Sequence, residues 1–204
     1  SLMASLDQSL VRMGLDYVDV FYSHRYDPET PLEETMQALV DIVRQGKALY
    51  VGLSKYPAGK AEEAYRYLEA RDVHCLLYQG RYNLFDRAPE EEGILGQARA
   101  YGVGFIAFSP LAQGLLTSRY LQGVPEDSRM AQGRFLKREV LTEAVLGKIK
   151  ALDRVAADRG QTLAEMSLAW VLKDELVTSV IIGASSVAQL EDNLKALRKV
   201  DFSK

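Results

Sequence analysis

Five short stretches of this 204-residue chain end in groups that could bind or react. His24 closes the run Tyr17-Val18-Asp19-Val20-Phe21-Tyr22-Ser23, and Ser54 with Lys55 follows Ala48-Leu49-Tyr50-Val51-Gly52-Leu53. Gln79 follows Val73-His74-Cys75-Leu76-Leu77-Tyr78, Ser109 follows an apolar run at 103–108, and Gly183 with Ser185 follows residues 177–182. Serine and glutamine can hydrogen-bond a carboxamide, and glycine- and serine-rich turns before helices expose N–H groups that hold phosphate. A histidine where a strand runs into the turn before a helix stands where α/β folds place their chemistry. Together these residue types suit a ligand with a neutral amide head and a phosphate-bearing tail.

Such groups meet only if the elements carrying them run side by side. Each polar end is preceded by an apolar, β-branched run of strand length, and helical apolar periodicity separates successive runs. The helices are expected near residues 5–13, 31–45, 58–70, 90–101, 142–158, 163–173 and 186–197. Ser5 with Gln8, Thr30 with Glu33, Thr162 with Glu165 and Ser186 with Gln189 read as capping boxes. Strands alternating with helices imply an α/β fold with a parallel sheet, whose C-terminal strand ends share one edge. The connection at 112–140 is long and rich in arginine and lysine. Arg129 within it is a candidate phosphate contact, beside the plainer reading of a solvated face. His74 and Trp170 read as structural, the latter as core.

Four motifs resemble the aldo-keto reductase family, in the branch that includes potassium-channel β subunits and L-glyceraldehyde 3-phosphate reductases. They are residues 17–28, Gly52-Leu53-Ser54-Lys55-Tyr56, Phe108-Ser109-Pro110-Leu111-Ala112-Gln113-Gly114-Leu115, and Gly183-Ala184-Ser185-Ser186-Val187-Ala188-Gln189-Leu190-Glu191-Asp192-Asn193. The resemblance implies NADP(H)-dependent reduction of an aldehyde or ketone to an alcohol on a (β/α)8 barrel. By position, His24 resembles the catalytic histidine. Ser54 and Gln79 resemble the groups that hold the nicotinamide amide, with Lys55 where relatives often have asparagine or arginine. Phe108 falls where an aromatic ring stacks on the nicotinamide. Ser109, Leu111 and Gly114 resemble the pyrophosphate segment. Ser185, Gln189, Asp192 and Asn193, after Gly183, resemble the adenosine end, with Ser185 near the 2′-phosphate.

Five strand patterns against the family's eight make this a partial TIM barrel of about five parallel strands, family strands 4 to 8, read as one truncated domain over residues 1–204. The aspartate, tyrosine and lysine that complete the family's tetrad would precede residue 1. The expectation is weak cofactor binding and little turnover. The alternatives are a nucleotide-binding regulatory module like channel β subunits, or an inert truncated product.

Composition narrows the rest. A net charge of -3 gives no general attraction for nucleic acid or acidic membranes. A single cysteine, Cys75, supplies neither an internal disulfide nor a metal-ligand cluster. No apolar run approaches the roughly 20 residues of a membrane span, and no signal-peptide pattern opens the chain. The expectation is a cytoplasmic protein without a metal, and the resemblance implies a small carbonyl substrate. Edge strands at residues 18–22 and 177–182 point to a homo-oligomer.

Overall fold

Alternating helical and strand periodicity becomes alternating helix and strand in the computed structural model, which describes residues 1–121, 123, 138–173 and 175–202. The helices are α1 (Leu2–Met13), α2 (Leu32–Arg44), α3 (Ala58–Glu69), α4 (Ala88–Glu91), α5 (Ile94–Ala100), α6 (Glu143–Asp158), α7 (Leu163–Val171) and α8 (Val187–Leu194). The strands are β1 (Val18–Ser23), β2 (Ala48–Ser54), β3 (Cys75–Arg81), β4 (Gly104–Phe108) and β5 (Ser179–Ile181). They are five parallel strands that follow chain order in the sheet. Helices lie in every connection, as parallel neighbours require a crossover. The chain divides into two compact units, Ser1–Gly80 with Ala88–Ile106, and Arg81–Arg87 with Ala107–Lys204.

In the first unit, α2 buries Leu32, Met36, Leu39, Val40 and Ile42. Ile42 joins Leu6, Leu10 and Ala48 in a cluster that Val18 and Phe21 pack against. Val51 and Leu53 of β2 are fully buried, while Gly52 between them leaves room for the ring of Tyr22. A Cβ on Gly52 would lie 2.5 Å from Tyr22 Cε1, so only glycine fits beside that ring. In the second unit, Leu115, Tyr120, Ile149, Ala156, Leu163 and Met166 form the core. The expected capping box at α7 is present: Thr162 accepts from the Glu165 N–H, and the Glu165 carboxylate accepts from the Thr162 N–H.

Several boundaries differ from the sequence expectation. Helix α1 begins at Leu2, one turn before Ser5, so Ser5 is helical and caps nothing. Thr30 does not cap α2; its hydroxyl donates to the Asp27 carboxylate at 2.7 Å, and the helix starts after Pro31. Those hydrogen bonds, from the Thr30 hydroxyl and then from the Glu29 N–H, hold the Asp27 carboxyl below its ordinary range. The helix expected at 90–101 divides at Gly93, whose φ of 77° interrupts it. Strand β3 continues to Arg81, so Gln79 lies inside it. Strand β5 is only three residues long, and α8 gives way to a 3-10 turn at Lys195–Arg198. Trp170 is half-buried rather than core, with Lys173 Nζ 4.0 Å from its ring centroid. The 112–140 connection includes 3-10 turns at Ala112–Gly114, Ser118–Tyr120 and Arg138–Val140.

Candidate functional site

Strand register decides which candidates meet in the first unit. Parallel pairing sets Ser23 beside Leu53, and Ser54 beside Gln79. His24 is the first residue beyond β1 and is exposed. Ser54, the last residue of β2, is only 2% exposed, and its Oγ has no hydrogen-bond partner among the described residues. A buried hydroxyl left unsatisfied costs about 1–3 kcal/mol. Such an atom, on a residue whose strand partner is Gln79, is suited to a polar ligand that completes it. Lys55 follows with φ 55°, a left-handed conformation that costs a non-glycine residue on the order of 1 kcal/mol.

Behind these groups lies a tyrosine network that sequence reasoning did not assign. The Ser23 Oγ and Tyr56 hydroxyl are 2.7 Å apart, and both side chains are buried. The Tyr78 hydroxyl donates to the Tyr56 carbonyl at 2.7 Å, and the Tyr26 ring tilts against Tyr56 with centroids 5.6 Å apart. Ser23 precedes His24, Tyr56 lies two residues beyond Ser54, and Tyr78 precedes Gln79. The network therefore ties together the parts of β1, β2 and β3 that carry or adjoin the candidates. Burial pushes the Tyr56 hydroxyl up, against the opposing hydrogen bond from Ser23. Burial likewise raises Tyr78 to about 12. Both phenols are neutral hydrogen-bonding groups near pH 7. Their adjacency in sequence to each candidate was a visible signal, but their mutual contact was not.

In the second unit, Phe108 ends β4, with the Arg81 guanidinium 5.7 Å from its ring centroid. The turn that follows departs repeatedly from ordinary backbone: Ser109 has φ 53°, Ala112 47°, Gln113 60° and Gly114 101°. The Leu111 carbonyl accepts from the N–H groups of Gly114 (2.8 Å) and Leu116 (3.2 Å). The Thr117 hydroxyl donates to the Gly114 carbonyl at 2.7 Å. Residues 109–114 thus form a compact coil of backbone rather than an extended loop.

The segment after β5 is exposed and locally closed. Gln189 Oε1 accepts from both the N–H (2.8 Å) and the Oγ (2.9 Å) of Ser185. Ser186 Oγ accepts from the Gln189 N–H at 3.2 Å. Ser186 therefore caps α8, but the Gln189 side chain reaches Ser185 instead of closing the expected box. Asp192 pairs with Lys195 at 2.6 Å, and Asn193 is partly exposed. Gly183 is exposed at the start of this turn. Arg129 lies outside the described residues.

No group of three or more metal-ligating side chains occurs among the described residues, and no described helix is long and apolar enough to cross a membrane. Comparison with known proteins gives a consistent result. Residues 1–204 match the sequence model of the Aldo/keto reductase family. The chain is 51% identical over 206 residues to L-glyceraldehyde 3-phosphate reductase of Escherichia coli O157:H7, covering 99% of this chain and 60% of that relative. It is 38% identical over 200 residues to a probable voltage-gated potassium channel subunit beta of Oryza sativa subsp. japonica, covering 96% of this chain and 61% of the relative. Its fold matches the crystal structure of a thermostable aldo-keto reductase, Tm1743, in complex with the inhibitor epalrestat. That match has a TM-score of 0.75 and 31% identity, over 100% of this chain and 62% of that one. The chain thus spans about three fifths of the length of these relatives.

Proposed function

Because the chain belongs to the aldo/keto reductase family, we propose that it carries the cofactor-holding part of an NADP(H)-dependent reductase of small aldehydes or ketones. The observation that carries this reading is the buried, unpartnered Ser54 Oγ beside Gln79. Ser54 and Gln79 would hydrogen-bond the nicotinamide carboxamide, and Phe108 would lie against its ring. Backbone groups of Ser109, Leu111 and Gly114 would hold the pyrophosphate. Gly183, Ser185, Gln189, Asp192 and Asn193 would take the adenosine end, with Ser185 nearest the 2′-phosphate. Lys55, next to Ser54, is a further candidate cofactor contact, and Arg129 a candidate for phosphate charge. When bound, the cofactor supplies a hydride to the substrate carbonyl. His24, exposed at the end of β1, would orient that carbonyl, and a proton donor must neutralise the developing alkoxide. The Tyr56 hydroxyl is buried against Ser23 and is not poised for that transfer.

The 204 residues carry one of the four tetrad groups that the resemblance implies, so alone they would bind NADPH weakly and turn over little. Loss of a general acid typically costs about 10²–10⁴-fold in rate. A fluorescence titration with NADPH, run beside NADH, tests the reading. A saturable change stronger for NADPH supports it, and no saturable change counts against it. Steady reduction of a small aldehyde by these residues alone would contradict the weak-turnover part. The likeness to a channel subunit beta supports a second reading, nucleotide binding that serves regulation. Saturable binding without turnover in the longest protein containing these residues would favour it. With β1 and β5 at the ends of the sheet order, homo-oligomerisation through strand edges is also proposed. A monomer by light scattering would refute it.

A further inference from the structure

Asn83 lies outside every motif discussed above, yet it is only 2% exposed and both ends of its amide are engaged. Its Oδ1 accepts from the N–H groups of Phe85 (2.9 Å) and Asp86 (3.0 Å). Asn83 and Asp86 also exchange backbone hydrogen bonds of 3.1 Å, closing residues 83–86 into a tight turn. The other end of the amide leaves that turn: Nδ2 donates to the carbonyl of Ser109 at 3.0 Å. One residue earlier, the Tyr82 N–H donates to the Phe108 carbonyl at 3.4 Å. Residues 82 and 83 therefore run alongside residues 108 and 109 as a two-rung ladder.

Ser109 needs such support. Its φ of 53° is sparsely populated for a residue with a side chain, and it persists only where surroundings over-determine it. Two donors converge on its carbonyl, Asn83 Nδ2 and the Ala112 N–H, the latter at 2.9 Å. The Ala112 bond is local and belongs to the coil itself. The Asn83 bond comes from 26 residues away and ties that coil to a buried anchor.

We propose that Asn83 is a positioning residue whose amide holds the Ser109 carbonyl, and with it the left-handed turn, in the form that receives the dinucleotide. The inference rests on the cofactor reading above. It accounts for a polar side chain buried beside the coil that supplies the proposed cofactor groups, and it assigns to preorganisation part of the binding free energy.

Asn83→Asp separates this role from simple turn formation. The carboxylate keeps an oxygen for the Phe85 and Asp86 N–H groups but turns an acceptor, not a donor, toward Ser109. Amide hydrogen exchange on the chain without ligand should show faster exchange at Ala112 and Gly114, with Phe85 and Asp86 still protected. NADPH affinity should fall about tenfold, the scale of one lost buried hydrogen bond. Ile149→Val, which trims the core of the same unit without touching Ser109, should lower stability slightly and leave NADPH affinity unchanged. Unchanged exchange at Ala112 and Gly114 would overturn the tie. Equal NADPH affinity in Asn83→Asp, or an equal loss in Ile149→Val, would overturn its role in binding. If the unsubstituted chain shows no saturable NADPH binding, the cofactor reading fails and takes the binding role of Asn83 with it. The exchange measurement still decides, by itself, whether Asn83 holds the turn.

Discussion

Replacing Tyr56 with phenylalanine isolates one hydrogen bond beneath the candidate site. The ring and its packing remain, and the Tyr78 hydroxyl still donates to the Tyr56 backbone carbonyl. What is lost is the 2.7 Å contact with Ser23 Oγ, between two buried side chains. Ser23 is then stranded without its partner, and an unsatisfied buried hydroxyl costs about 1–3 kcal/mol. Ser23→Ala strands the Tyr56 hydroxyl at a similar cost. The double variant strands neither, so its cost should be well below the sum, with a coupling of about 1–2 kcal/mol. Urea unfolding followed by far-UV circular dichroism measures this. With a slope of about 2 kcal/mol per molar, Tyr56→Phe should lower the midpoint by about 1 M. Additive single losses, or a single-variant shift below about 0.2 M, would refute the claim that this pair ties the strand ends together.

Ser54→Ala should move stability and binding in opposite directions. Removing an unpartnered buried hydroxyl should leave stability unchanged or raise it by up to about 1 kcal/mol, while NADPH binding weakens several-fold; a parallel fall in both would count against the ligand role. Gly80→Ala should cost about 1–3 kcal/mol through overpacking, since its Cβ would lie 2.7 Å from Phe105 Cζ; a thermal midpoint equal to that of the unsubstituted chain would contradict this. Burial pushes the Cys75 thiol up to about 12 from an ordinary value of 9.0. The native thiol therefore stays protonated while the unfolded one ionises, so its stabilising contribution is full below about pH 9 and declines from there to about pH 12. Native Cys75 should react with a thiol reagent at pH 8 far more slowly than the urea-unfolded chain; equal rates would show that the thiol is accessible. Thr162→Ala should cost about 1 kcal/mol by opening the capping box at α7, checked by thermal unfolding.

Much of the architecture was legible in the sequence because its signals are local. Apolar periodicity distinguishes strands from helices within a single window, and the Thr162–Glu165 box closes over three residues. The polar residues at strand ends were legible for the same reason. So was the likeness of the Phe108 and Gly183 motifs to the aldo/keto reductase family. Local signals fail where a nearer partner competes, as when Asp27 engages Thr30 and removes it from the start of α2. They also fail when a side chain has two reachable targets. Gln189 faces both Ser185 and the helix start, and it takes Ser185.

The tertiary structure decided the pairings that span the chain. Register sets Ser54 against Gln79, 25 residues along, and burial then deprives the Ser54 hydroxyl of any described partner. Tyr56 meets Ser23 across 33 residues, and Asn83 meets Ser109 across 26. Neither pair carries a sequence pattern, because a hydrogen bond needs its two atoms within about 3 Å. Only the parallel crossover brings residues that distant to such a separation. The sequence by itself determined which chemical groups stand at the strand ends. The folded chain determined which are buried, which are paired, and that the Ser54 hydroxyl is buried with no partner among the described residues.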